Sequence, residues 1–179
     1  AHLVQSNDRQ AVREAVEYLI GQGHKRIGLV EGPEGFRSSH ERREGWREAV
    51  TAHGLPADIS MTARGAYTFE TGKQAGELLL NLPQRPTAIF ASNDVMAAGV
   101  VHVARERGLD VPGDLSVVGF DDTAIAATIW PPLTTVRWPI RTMARSAALK
   151  LIHPETARKE QSLFPTEFVP RASVSAPKG

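Results

Sequence analysis

The chain has 179 residues, 41% of them apolar and 23% charged, which excludes a disordered tail and leaves room for one α/β domain or most of one with part of a second. A formal charge of +1, with lysines and arginines scattered along the chain, excludes a concentrated nucleic-acid-binding face on this piece. The lack of cysteine removes thiolate nucleophiles, disulfides and cysteine metal sites and agrees with a reducing compartment, while residues 1–10 carry no basic-then-apolar leader and no membrane-length apolar run occurs.

In chain order, Ser6, Asn7 and Asp8 are cap candidates for a helix with Ala11, Ala15, Val16, Leu19 and Ile20 on one stripe, stopping at Gly21 and Gly23. A short apolar strand, Ile27 to Val30, follows, then a turn at Gly32-Pro33-Glu34-Gly35. Ser38-Ser39-His40-Glu41 reads as a capping box opening a helix through Trp46, Ala49 and Val50. A second strand is expected over residues 59–65, and a helix from Thr68 carrying Ala75, Leu78, Leu79 and Leu82. A strand over residues 88–91 leads to a helix that starts at Asn93 or Asp94 and ends by Gly108.

Leu115 to Phe120 is a continuous apolar run, as in a parallel strand covered on both faces. The alternation predicts an α/β fold with a doubly wound parallel sheet and right-handed crossovers, whose ligand crevice lies at the carboxyl ends of the strands, in the loops after Val30, Gly65, Ala91 and Phe120. Trp130-Pro131-Pro132 breaks the pattern. Thr134 to Trp138 is then extended, Pro139 opens a helix running to His153 with Ile140, Met143, Ala144, Ala147 and Leu151 on its stripe, and one last strand is expected over residues 163–169 after a charged connector.

Within this frame Arg42 shares the inward stripe of its helix with Trp46 and Ala49, an unusual place for a cation and one that the helix dipole disfavours, so an anionic or hydroxyl-rich group should face it. Asp121, at the mouth of the fourth strand, is the obvious partner. Such a pair either shares the hydroxyls of a sugar or ties the helix to the sheet as a structural ion pair. Asp121 and Asp122 should diverge instead of acting as an acid–base couple. No metal-ligand spacing and no nucleophile elbow occur, and Gly21-Gln22-Gly23 precedes a strand where a dinucleotide loop would follow one, so neither an enzyme nor a cofactor or metal site is indicated. The helix after Asn93 is apolar around most of its circumference, through Val95, Met96, Val100 and Val103 among others. It is therefore buried on two sides, by the sheet and by either a neighbouring helix or a second subunit.

Four stretches resemble the lactose-repressor and galactose-repressor family of bacterial transcription regulators: Tyr18 to Gly28, Arg42 with Gly45, Ala91 to Gly99, and Val117 to Thr123 followed by Pro131 to Thr135. The first three are also similar to exported solute-binding proteins of sugar transporters, which share the periplasmic-binding-protein-like fold and stand as the alternative. The resemblance implies a cytoplasmic regulator in which two α/β subdomains close on a small effector, a sugar or purine-like molecule. Operator DNA is bound only through an N-terminal helix-turn-helix that this piece lacks, and the protein is a homodimer with no membrane partner. It implies that residues 1–138 with 162–175 form the C-terminal effector-binding subdomain, and that the helix over 139–153 belongs to an otherwise absent N-terminal subdomain.

The resemblance also assigns effector contact to Arg42, Asn93 and Asp121, and an aromatic packing role to Tyr67, just past the second strand. The alternatives are a helix N-cap for Asn93 and a core or rim aromatic for Tyr67. Phe36 and Ser38 lie in the first crevice loop and are candidates to line the pocket. Trp138 departs from the polar residue common at its place in relatives, and either stacks on a ringed effector or packs the hinge. Thr134 and Thr135 are read as fixing the backbone. Val95, Met96, Val100 and Val103 are the candidates for a two-fold dimer interface.

Overall fold

In the computed structural model, which describes residues 4–152 and 162–178, a strand β1 (Val4–Ser6) precedes helix α1 (Asp8–Gly21), β2 (Ile27–Glu31), α2 (Arg37–Ala52), a 3-10 turn (Ile59–Met61) and β3 (Thr62–Arg64). Helix α3 (Phe69–Leu80), β4 (Ala88–Ala91), α4 (Asp94–Glu106) and β5 (Ser116–Val118) complete the alternation. A short helix α5 (Ala124–Thr128), β6 (Thr135–Arg137), α6 (Ile140–Ile152), β7 (Ser162–Phe164) and β8 (Glu167–Val169) follow. The expected helix end at His153, the charged connector and the first three residues lie outside the described residues.

The main sheet has the order β3-β2-β4-β5, and every pairing in it is parallel. Every residue of β2, β4 and β5 is buried, because helices cover both faces. The strand period of two divides their side chains. Leu29, Phe90 and Val118 pack with α1 and α2, whereas Val30, Ile89 and Val117 pack with α3 and α4, giving three layers. After β2 the chain crosses to β3 on one side and returns to β4 on the other. The crevice outside the ends of β2 and β4 is thus the switch point where a doubly wound sheet receives its ligand.

Beside β5 the sheet continues in pieces, with backbone bonds from Val117 N–H to Ser173, Gly119 N–H to Thr134 and Asp121 N–H to Val136. The single last strand expected from the sequence is two. β7 pairs in parallel with β1, and β8 pairs antiparallel with β6. Segments this short carry too little periodicity to be separated by sequence, and their partners lie at the far end of the chain.

The expected capping box at Ser38 to Glu41 is corrected. Helix α2 begins after Phe36 with no side-chain cap, because the hydroxyls of Ser38 and Ser39 are both engaged by the Tyr67 hydroxyl, at 3.2 and 3.0 Å. The expected dimer residues on α4 are corrected too. Met96, Val100 and Val103 are at most 1% exposed and belong to the core beneath α3, so they have no surface to offer a second subunit, and only Val95 is half-buried. The cover on the second side of α4 is the neighbouring helix, which approaches closely through Gly72 and Gly99. No helix among the described residues is long and apolar enough to cross a membrane.

Candidate functional site

Arg42 lies in the second turn of α2, 5% exposed. Burying a guanidinium requires partners for its charge and its N–H groups. It finds three: Nε donates to the Asp8 carboxylate at 2.9 Å, Nη1 donates to the Ser92 carbonyl at the tip of β4, and the guanidinium lies over the Phe120 ring, 3.7 Å from its centre. The third nitrogen, Nη2, faces Asp121 Oδ1 at 3.8 Å. Arg42 and Asp121 therefore converge as expected. Asp8, read from the sequence as a cap candidate, is the closer anion, because the start of α1 packs beside α2.

Asp121 is held just past β5 with φ at +110°, and Asp122 and Tyr67 also have positive φ, at 55° and 61°. Non-glycine residues in this region carry backbone strain of about 1–3 kcal/mol and gather at functional sites. All three stand beyond the carboxyl ends of strands. The Asp121 carboxylate is about one-quarter exposed, and its ion-pair partner Arg42 stays beyond hydrogen-bond distance. Burial pushes its pKa up to about 7; Arg42 opposes that, while the charges of Asp94 and Asp8 reinforce it.

Asp122 diverges from Asp121, as expected, and accepts from Arg137 at 2.7 Å and Arg171 at 2.6 Å. Thr134 fixes backbone, exchanging hydrogen bonds with the Arg171 backbone, whereas the Thr135 hydroxyl donates to the Asp94 side chain at 2.5 Å. Asp94 also accepts from the Thr123 N–H and hydroxyl, so one fully buried carboxylate ties α4 to the loops after β5; its pKa is raised by burial, against those bonds. Nothing in the sequence pattern announced that clamp.

Asn93 caps α4, its Oδ1 accepting from the Met96 N–H at 2.8 Å, while Nδ2 donates to the Tyr67 carbonyl at 3.2 Å. The cap is real, and it leaves the second amide hydrogen and a lone pair for another partner. Tyr67 is half-buried, bonded through its hydroxyl to Ser38 and Ser39, and meets the exposed ring of Phe36 edge-on at 6.3 Å. Ser38, Tyr67, Phe36 and Asn93 thus form one connected wall.

A second group lines a hollow of about 420 Å³ between the start of α2 and the β1–β7 pair: Arg42, Ser38 and Trp138 from the expected set, with Asp8, Met143 and Leu163. Arg42 and Ser38, four residues apart on α2, join this hollow to the Tyr67 wall. The arrangement offers a fixed cation, a partly exposed carboxylate, an amide and aromatic edges, a set suited to holding a polar molecule.

The sequence profile of the periplasmic binding protein-like domain matches residues 16–174. A probable HTH-type transcriptional repressor of Bacillus subtilis, ExuR, is 44% identical over 173 residues, which are 94% of this chain and 52% of that protein. The structure of a putative transcriptional regulator LacI from Bacillus cereus subsp. cytotoxis superposes with a TM-score of 0.95 at 28% identity, covering 99% of this chain and 64% of that one. A transcriptional regulator CelR–cellobiose complex matches with a TM-score of 0.88 at 34% identity, over 97% of this chain and 54% of its own. The chain spans about half the length of the curated relatives it matches. It belongs to the periplasmic binding protein-like domain family, and the relatives it resembles over this span include LacI-type transcriptional regulators.

Proposed function

We propose that this chain is the effector-sensing part of a DNA-binding transcription regulator, and that a sugar or purine-like molecule binds at the carboxyl ends of β2, β4 and β5 against Arg42, Asp121, Asn93 and Tyr67. The observation that carries the reading is the Arg42–Asp121 gap. At 3.8 Å the pair attracts but makes no hydrogen bond, and the Asp121 carboxylate is largely buried yet one-quarter open, so a ligand can reach it. A ligand hydroxyl donating to Asp121 while its neighbour accepts from Arg42 would satisfy both. Phe36, Ser38 and Trp138 extend the wall on either side, and an indole at Trp138 favours an effector with a ring face.

A hinge between two subdomains is part of this reading. Residues 1–138 with 162–175 make up the C-terminal subdomain, and α6, of which only Met143 is buried, belongs with a second subdomain. Effector contacts that differ between the open and closed arrangements would shift that equilibrium and so alter operator affinity through a helix-turn-helix head. In the intact homodimer the contact surface excludes Met96, Val100 and Val103. The cellobiose complex of a related regulator and the match to a named repressor support a regulator over the exported binding protein of a transporter.

The test is a thermal-shift screen of sugars and nucleosides on the full-length regulator, repeated with Asp121→Asn. The isosteric amide keeps the shape and removes the charge. A stabilising compound should lose its shift in the variant, and an unchanged shift would place the effector elsewhere. Arg42→Ala is the poorer probe: it strands the buried Asp8 carboxylate, which costs about 3–5 kcal/mol of fold stability and confuses unfolding with lost binding.

A further inference from the structure

The strands that end at the candidate effector site begin at a second, separate hollow. Arg26 immediately precedes β2, Arg85 and Thr87 precede β4, and Asp114 precedes β5; together with His24 and Lys178 they line a cavity of about 400 Å³. The one carboxylate among its described lining residues is already engaged. Asp114 accepts from the Lys178 ammonium at 2.8 Å through Oδ1 and from the Asp110 N–H at 2.9 Å through Oδ2. The Lys178 bond is the largest of several causes that hold this carboxyl below the usual range.

The two arginines are anchored differently. Arg26 Nε donates to the Arg85 carbonyl at 3.1 Å, and Arg85 Nη1 donates to the carbonyls of Asp114 at 3.0 Å and Pro86 at 3.3 Å. Carbonyl anchors fix a guanidinium without neutralising it, and among the described residues neither arginine touches a carboxylate. Among the described residues, every carboxylate-paired arginine lies outside the cavity. His24 is not a competing ligand: Nε2 donates to the Ser175 carbonyl and Nδ1 is bonded to Thr87, each at 2.9 Å, and burial lowers its pKa and keeps the ring neutral. It ties the tail to the sheet and so completes the wall on which Lys178 stands.

We propose that this hollow is a second ligand site that takes a phosphate group, free or carried on a small organic molecule, between the forks of Arg26 and Arg85 with Lys178 beside them. Planar forks pair with phosphate oxygens in a bidentate way that a lone lysine does not reproduce. The proline rings of Pro83, Pro112 and Pro177 on the same wall offer a rigid apolar surface to an organic substituent.

The test is a heteronuclear NMR titration of this chain with inorganic phosphate and then phenyl phosphate, with sodium chloride at matched ionic strength as the control. Saturable shifts are expected at the amides of Arg26, Arg85, Gly113 and Lys178, with none at Arg42 or Asp121, and Arg26→Gln should weaken affinity by about tenfold or more. Tighter binding of phenyl phosphate would identify an organic phosphate as the natural form, and equal binding the free ion. Shifts reproduced by chloride, or an affinity unchanged in both Arg26→Gln and Arg85→Gln, would overturn the proposal.

Discussion

Asp121 carries the most unusual chemistry in the chain. Burial and the neighbouring carboxylates of Asp94 and Asp8 outweigh the cation of Arg42 and push its pKa up to about 7, against about 3.9 for an aspartate in an unfolded chain. Because the folded value is the higher, protonated Asp121 favours folding. Its contribution to stability is complete below about pH 4 and disappears as the pH rises through about 7. Ligand binding should respond in the opposite sense. A hydroxyl that donates to the carboxylate needs it ionised, so effector affinity of the intact regulator should fall as the pH drops below about 7, approaching tenfold per pH unit. Calorimetry at pH 6 in two buffers of different ionisation enthalpy should register about one proton released per effector bound. Asp121→Asn would abolish that release, and a wild-type affinity flat from pH 5 to 8 would remove Asp121 from the contact. The pairing of the two was readable, Asp121 from its place after a buried strand and Arg42 from helical spacing. Asp8 was not, because an acidic residue at a helix start reads as a cap and only the packing of α1 against α2 turns it inward.

At the scale of elements, α3 and α4 pack through small residues. A β-carbon on Gly99 would lie 2.7 Å from the Lys73 nitrogen and closer still to the Phe69 carbonyl oxygen, both of them backbone atoms that cannot swing aside. Intrinsic propensity favours alanine over glycine inside a helix by about 0.5–1 kcal/mol, so an isolated α4 would be strengthened by Gly99→Ala. In the fold the order should reverse. Overpacking typically costs about 1–3 kcal/mol, and urea denaturation should show a net loss of stability, whereas a gain would mean that the helices separate more easily than this contact implies. The same closeness explains a misreading. A helix apolar around most of its circumference, as α4 is, announces burial on two sides, but periodicity does not say whether the second cover is α3 or another subunit. Long elements with regular stripes, α1, α3 and α4, and the uniformly apolar β4 were legible because their signal is local. The three-residue β1 and β7 and the five-residue α5 were not, since what makes them structured is a partner distant in sequence. The start of α2 was misplaced for a related reason: the serines that could cap it are claimed by Tyr67.

Across the whole molecule, stability should be divided unevenly. β2 and β4 occupy the middle of the sheet, with strands on both edges and helices on both faces, so their amides open to solvent only when the domain unfolds. Helix α6 is different. Met143 is its one buried side chain, while Ile140, Leu149, Leu151 and Ile152 are 48–79% exposed, so little apolar burial offsets the entropy of keeping the helix formed. Hydrogen exchange followed residue by residue in this chain should therefore show α6 opening at a free energy near zero, while β2 and β4 exchange at the global value, about 5–15 kcal/mol for a domain of this kind. Protection of α6 equal to that of β4 would contradict the division, because it would require a cover for those four side chains that the described residues do not supply. A chain of the relatives' full length provides the complementary arm. If α6 belongs to a second subdomain, the added residues should bury its apolar face and raise its protection toward that of the sheet. Effector should then raise it further, since closing the hinge leaves fewer open states from which the helix can exchange.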